Sequence, residues 1–366
     1  MRRPIERGRA VVVKIGSSSL TTRGGLIDAG AISRVVDQIA DLRRSGHPAV
    51  LVSSGAVAAG LPALGVADRP TDLPGLQAAA AVGQSKLIEQ YAGAFAAHNL
   101  VVGQVLLTRD VLAGREPHLH ARAALDRLID LGVVPIVNEN DTVVVDELRF
   151  GDNDRLAAIV SHLVSAGLLV ILTDTPGLYA HDPRLVAEPE LLSAIQHTDE
   201  VLDELRRGSG TGVFGSGGVA TKVAAARMAA YSGIPTVVTA ANDPDAVRRA
   251  VAGEDIGTWV APRSTALGAR KLWIAFSLPP LGVLTVDDGA VAAIVGRGRS
   301  LLAAGVTAAQ GDFVRGDAVE VHDKSGRLIG KGLAGLAAAT LREVLGQHTS
   351  VAGGAAIHRD DLIVLA

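Results

Sequence analysis

The sequence contains no cysteine, which excludes a disulfide framework, a thiolate nucleophile and any cysteine-ligated metal. It also lacks any apolar run close to the roughly 20 residues that a membrane-spanning helix needs. The basic start MRRPIERGRA runs into VVV at 11–13, and Lys14 cuts that run off far short of the apolar region of a signal peptide. A cytoplasmic protein is the expectation. A basic field is missing as well: net charge is −3 and pI ≈ 6.4, so bulk electrostatics favour a small-molecule partner over nucleic acid. Against these absences, 48% hydrophobic and 20% charged residues are the composition of a globular protein. A length of 366 residues is comfortable for two domains, each with its own core.

Short apolar runs alternate with longer helical stretches. VVVKI at 11–15, AVLVSS at 49–54, VVGQVLLT at 101–108, VVPIVN at 133–138, LLVILTD at 168–174 and TVVTA at 236–240 look like the strands of a parallel sheet covered on both faces. The stretches IDAGAISRVVDQIADLRRSG and GREPHLHARAALDRLIDLG read as helices, each closed by a glycine suited to a C-cap. The fold class expected is therefore α/β, an open, mainly parallel sheet sandwiched by helices, with ligands at the carboxyl ends of its strands. After about residue 262 the texture changes. APRSTALGAR and SLPPLG read as a linker over 263–280, and the short strands and glycine turns of 281–366 predict a small, mainly β module.

Polar residues gather at the ends of the predicted strands. Lys14 interrupts an apolar strand and is followed by GSSSL; a lysine is rarely buried without an anion, the bland alternative being an edge lysine that snorkels to water. Ser53, Ser54 and Gly55 open a helix after the second strand. NENDTV begins at Asn138 and carries Asp141, while Gly151, Asp152, Asn153 and Asp154 precede an amphipathic helix. Helix capping accounts for one such Asp or Asn, and the two segments together hold more carboxylates and amides than caps require. Thr173 and Asp174 close another strand before a Pro-Gly turn.

The stretch FGSGGVATK at 214–222 lacks the Walker order, because Thr221 precedes Lys222 and no glycine touches the lysine. With Lys222 expected to start a helix, a cation stands in the first turn, where the macrodipole disfavours it. A phosphate accepting from the 215–218 backbone and from Lys222 compensates, in a nest with the physics of a P-loop but another sequence. A flexible glycine-rich loop with a solvated lysine explains the glycines, but not a second lysine at the same crevice as Lys14.

VVVKIGSSSL, VSSGAVAAGL, AAVGQSKLI, GQVLLT, PIVNENDTV, GDNDRLAA, LTDTPGLYAHDPR and GSGGVATK, in this order, resemble the amino-acid kinase family over nearly the whole chain, and within it the branch that phosphorylates glutamate. The C-terminal part is similar to a PUA domain, a small β barrel. Val219 departs from the Met or Ile usual at that point of the family signature. The resemblance implies ATP-dependent phosphorylation of the γ-carboxylate of L-glutamate to γ-glutamyl phosphate, with Mg²⁺, as the first step of proline synthesis. It implies that Lys14 and Lys222 act on the transferring phosphoryl group, with Asp154 orienting both lysines. Ser54, Asp141, Asn153 and Asp152 would hold glutamate, and Lys14, Thr173, Asp174 and residues 216–222 (Ser216, Gly217, Gly218, Val219, Ala220, Thr221, Lys222) would contact ATP. A homo-oligomer, feedback inhibition by proline and a downstream γ-glutamyl phosphate reductase are further implications.

A binding protein that has lost catalysis is disfavoured because Lys14, Lys222 and Asp154 are all present. A kinase of the same fold acting on acetylglutamate, aspartate or a nucleoside monophosphate is disfavoured by NENDTV with GDND. An RNA-binding protein is disfavoured because residues 281–366 hold 8 Lys/Arg against 9 Asp/Glu, with Phe313 the only aromatic, which is neither a basic footprint nor a stacking platform.

Overall fold

The computed structural model describes residues 2–22, 24–108, 111, 115–143, 153–181, 188–196, 218–347 and 353–365. Two compact units divide the chain between Ala266 and Leu267. In the first, apolar runs form the strands β1 (Val11–Ile15), β2 (Ala49–Ser53), β3 (Val102–Leu107), β4 (Val134–Glu139), β5 (Leu168–Thr173), β6 (Ala194–Ile195), β7 (Thr236–Ala240) and β8 (Thr258–Val260). They make one eight-stranded sheet in the order β3-β4-β2-β1-β5-β7-β8-β6. Adjacent strands are parallel except β7 and β8. The chain leaves β1 toward β2 on one side and returns to β5 on the other, so the crevice for ligands opens at the carboxyl ends of these central strands.

Alternation along β1 assigns its two faces. Val11, Val13 and Ile15 pack into a core with α1 (Ala29–Arg44) and, through Leu87, Tyr91 and Phe95, with the long helix α3 (Leu73–Ala96). Val12 and Lys14 point to the opposite face, the one on which α5 (Asn153–Leu163) lies, itself packed against α6 (Val219–Tyr231). All five β1 residues are buried, as a central strand covered by helices on both sides requires.

Two expectations about helix starts need correction. Ser53 and Ser54 do not open α2 (Ala56–Gly60); Gly55 is its N-cap, at φ 101°, a left-handed conformation that glycine adopts without strain. The serine hydroxyls are thereby left for other partners. Nor does Lys222 start α6, which begins at Val219 with Gly218 as N-cap and has Lys222 as its fourth residue. Helical geometry begins as soon as the glycines end.

In the second unit, β9 (Gly282–Val286), β11 (Val306–Gly311), β12 (Ala318–His322), β13 (Leu328–Leu333) and β15 (Leu362–Val364) form a five-stranded sheet in the order β11-β9-β12-β13-β15. A two-stranded ladder joins β10 (Leu301–Leu302) to β14 (Ala355–Ile357). Leu284, Val286, Phe313, Val319, Val321 and Ile357 centre its own core. The stretch expected to be a linker is partly folded: between α7 (Ala246–Val251) and β9, residues Ala269–Phe276 form α8, which packs on β13 and β15. Leu272 and Ile274 are buried there. The buried Lys331 ammonium donates to the carbonyls of Ala275 (3.4 Å) and Leu278, at the end of that helix, where a cation suits both the unpaired carbonyls and the dipole.

Helices α2 and α3 cross at backbone contact. A Cβ on Gly83 would overlap the carbonyl oxygen of Ala56, and one on Gly60 the carbonyl oxygen of Ala79. Glycine at both positions sets how deeply α3 sits beside the ends of β2 and β4. Replacing Gly83 by Ala is expected to push the helices apart and lower stability by roughly 1–3 kcal/mol or more, read as a shift in the urea midpoint; an unchanged midpoint would show that the crossing yields cheaply.

Candidate active site

The central feature is a buried carboxylate between two lysines. Asp154, the second residue of α5, is 1% exposed in its side chain. The Lys14 Nζ on β1 lies 2.6 Å from its Oδ1, and the Lys222 Nζ on α6 lies 3.5 Å from its Oδ2. Thr221 donates its hydroxyl to Oδ2 at 2.7 Å, with the Gly218 carbonyl oxygen 2.9 Å away as a second acceptor. Burial opposes ionisation of Asp154, but the Lys14 and Lys222 ammoniums, with hydrogen bonds from Lys14 and Thr221, outweigh it and hold the carboxyl well below the ordinary carboxylate range. One carboxylate and two ammoniums leave this group with a net positive charge at the N-terminal end of α6, so it attracts an anion.

Asn153 immediately precedes Asp154 and faces the ends of β2 and β4. Its Nδ2 donates to the Ser53 carbonyl (3.0 Å), to Ser54 Oγ (2.9 Å) and to Asn138 Oδ1 (2.9 Å). Asn138, on β4, also accepts from the Glu139 backbone N–H at 2.9 Å and donates through Nδ2 to Gln84 Oε1 on α3 at 2.8 Å. Ser53 Oγ is 2.9 Å from the hydroxyl of the buried Tyr91, which ties the end of β2 to the same helix. Beside this network a cleft of about 260 Å³ opens, lined among others by Gln84, Ser85, Gln104, Glu139, Asn140 and Asp141.

The structure thus joins Lys14, Asp154, Thr221 and Lys222 in one cluster and Ser54 and Asn153 in the adjoining one. Asp141 lies in a single turn of 3₁₀ helix, Asp141–Val143, on the cleft. Thr173 ends β5, beside β1, and donates to Asp174 at 3.0 Å. Gly218, Val219 and Ala220 form the start of α6. Asp152, Ser216 and Gly217 lie outside the described residues. Asn138 and Gln84 were not nominated from the sequence, although both stand in motifs that were singled out, NENDTV and AAVGQSKLI. The signal for Asn138 was a polar residue closing an otherwise apolar strand.

Farther along α5, His162 stands with its ring centroid 5.7 Å from that of His118 on α4 (Arg115–Asp130). Burial first, then the charges of His118 and Arg122, push the His162 imidazole down to about 4. The unfolded chain, titrating near 6.5, therefore binds more protons than the fold between about pH 6.5 and pH 4. Stability should fall across that window as pH drops, by on the order of 3 kcal/mol in full. His162→Leu should flatten the slope. Denaturant titrations at several pH values check this, and a variant that keeps the wild-type slope would place the dependence elsewhere.

The pattern of the Amino acid kinase family matches residues 9–240, and that of the PUA domain matches residues 282–351. A protein of Marinomonas sp. (strain MWYL1) called glutamate 5-kinase is 47% identical over 373 residues, covering 100% of both chains. A glutamate 5-kinase of Frankia casuarinae is 48% identical, covering 100% of this chain and 99% of its own. Among solved structures, the carbamate kinase of Giardia lamblia bound to AMP-PNP shares the fold at 18% identity, with a TM-score of 0.50, over 70% of this chain and 99% of its own.

Proposed function

Because the chain belongs to the amino acid kinase family, we infer that it transfers the γ-phosphoryl group of ATP to the γ-carboxylate of L-glutamate. The product is γ-glutamyl phosphate, and the reaction is the first step of proline biosynthesis. Full-length similarity to glutamate 5-kinases supports the choice of substrate. The observation that carries the chemistry is the convergence of Lys14 and Lys222 on Asp154.

The acceptor carboxylate is ionised at neutral pH, with an ordinary pKa of about 4.3, so the reaction needs no general base. The remaining task is electrostatic: two anions must meet, and charge spreads over the equatorial oxygens of the phosphoryl group. Lys14, on a central strand, and Lys222, in the first turns of α6, supply fixed positive charge there. Asp154 is a positioning residue that holds both ammoniums in a buried site, where neither would rest without a carboxylate. In this reading Ser54, Asn153, Asp141 and Asp152 hold glutamate, while Thr173, Asp174 and residues 216–222 hold the nucleotide. Mg²⁺, when bound, screens phosphate charge. The ion often keeps several waters, so no protein ligand is assigned to it and no step here runs through it.

The chemistry belongs to the kinase domain, 1–262 in the expected division; residues 281–366 contribute none of the proposed site residues. The product is an acyl phosphate, reactive enough to require prompt use by a reductase. We place the enzyme in the cytoplasm with its substrates; no helix among the described residues is long and apolar enough to cross a membrane. The homo-oligomer and the inhibition by proline implied by the resemblance belong to the same proposal.

Trapping the acyl phosphate with hydroxylamine tests the reaction. L-Glutamate with Mg-ATP should yield a hydroxamate, and N-acetylglutamate, aspartate and UMP little; preferential turnover of acetylglutamate would overturn the substrate. Lys222→Ala should lower kcat by roughly 10²- to 10³-fold, as when one preorganised donor is lost, with a much smaller change in KM for glutamate. Lys222→Arg should rescue poorly, since a planar fork does not replace a compact ammonium. Asn153→Ala should chiefly raise KM for glutamate, by roughly 10- to 100-fold if it loses a hydrogen bond to a charged group. A folded Lys222→Ala enzyme with near-normal kcat would remove Lys222 from the phosphoryl site.

A further inference from the structure

Asn153 Oδ1 is buried and, among the described residues, has no hydrogen-bond partner, whereas Asn153 Nδ2 is within hydrogen-bond distance of three acceptors. Leaving a buried acceptor without a donor is costly, so its persistence calls for a ligand that supplies one. The amide cannot evade this by turning over. At one end, Nδ2 faces the Ser53 carbonyl, a backbone group that only accepts. At the other, it faces Asn138 Oδ1, which is itself fixed as an acceptor by the Glu139 backbone N–H, a group that only donates. Gln84 completes the chain by accepting from Asn138 Nδ2. Two backbone groups therefore set one polarity for the whole row, and flipping any amide would oppose donor to donor or acceptor to acceptor.

We propose that Asn138, backed by Gln84, is a positioning residue for substrate selectivity: it locks the Asn153 carboxamide so that its oxygen receives the α-ammonium of the amino-acid substrate. This rests on the reading of Asn153 as a substrate residue. Charge favours the same ligand end. Asn153 does not itself line the neighbouring cleft, but that cleft, reached through Asn138 and Gln84, carries the carboxylates Glu139 and Asp141 and, among its described lining residues, no lysine or arginine, which suits a cation and disfavours a carboxylate. Position is secured by packing, since Gln84 follows Gly83, whose backbone rests on Ala56 at the start of α2.

The test compares L-glutamate with glutarate, which keeps both carboxylates and lacks the amine, each followed as substrate by hydroxamate formation and glutarate also as a competitive inhibitor. In Asn138→Leu the preference for glutamate over glutarate should narrow by roughly tenfold or more, while KM for ATP stays within about twofold. Asn138→Asp keeps acceptor oxygens for Asn153 and for the Glu139 N–H, and should retain the preference within about threefold. A role confined to stability would depress both ligands together in every variant. If Asn138→Leu does not fold, Gln84→Met decides, since it removes only the acceptor of Asn138 at a half-buried site and should narrow the preference by about threefold. An unchanged preference in the folded Asn138→Leu enzyme, or in Gln84→Met where that variant must stand in, overturns the proposal. If Asn153→Ala raises KM for glutamate in the same assays, only the positioning role falls; if it leaves that KM unchanged, the substrate site itself is misplaced.

Discussion

A buried carboxylate facing two ammoniums is the constraint around which the first unit is organised. Asp154 could not be ionised at 1% exposure without Lys14 and Lys222, and Lys14 could not lie on an interior strand without Asp154. Each partner comes from a different element: a central strand, the start of α5 and the start of α6. The pair and its neighbour therefore fix how these three elements meet, and the apolar packing around them must conform. A group of this kind adds little net stability compared with an apolar core of equal volume. In the proposed reaction its use is to keep positive charge desolvated and in place before an anionic ligand arrives, which is the condition for strong electrostatic stabilisation of a transition state.

The same logic explains why small residues surround the polar ones. Gly55 takes a left-handed turn that frees the ends of Ser53 and Ser54 from capping α2. Gly60 and Gly83 let α2 and α3 meet at backbone distance, which brings Gln84 and Tyr91 to the strand ends. A larger side chain at Gly60 or Gly83 would press on the backbone of the facing helix. Close packing here serves geometry more than burial.

How much of this was legible in the sequence follows from the range of each signal. Strands buried on both faces announce themselves as apolar runs, so β1 to β5 and β7 were read with their approximate bounds, and a lysine inside one of them, Lys14, was conspicuous at once. Asp154 and Asn153 stood out because two adjacent polar residues at a helix start exceed what capping needs. Asn138 and Gln84 did not, because an asparagine in a polar motif and a glutamine on a helix are ordinary until tertiary structure pairs them. Residues 54 positions apart in sequence carry no local sign of contact. The start of α6 was misplaced for a related reason: glycines signal an irregular backbone, but where it ends depended on Gly218 capping a helix whose first turn is anchored by Thr221 on Asp154. The folded segment Ala269–Phe276 was hidden because proline and glycine around it read as a linker, while the helix that carries the buried Leu272 and Ile274 packs on β13 and β15, far along the chain.

Adjacency on α5 ties the two halves of the site together. Successive residues on a helix diverge by about 100°, so Asn153 and Asp154 leave the same turn toward different walls of the crevice, the first toward β2 and β4, the second toward β1 and α6. One rigid helix start thereby sets the distance between the group proposed to grip the amino acid and the lysines proposed to meet the phosphoryl group. Phosphoryl transfer depends on the acceptor and leaving oxygens being nearly in line, and an error of about 1 Å in that alignment can cost 10²-fold in rate. Two grips on separate loops would add their motions. Here the residue proposed to grip the amino acid and the carboxylate that anchors both lysines are consecutive residues of one buried helix start, so the amino-acid grip and the anchor of the lysines share a single motion.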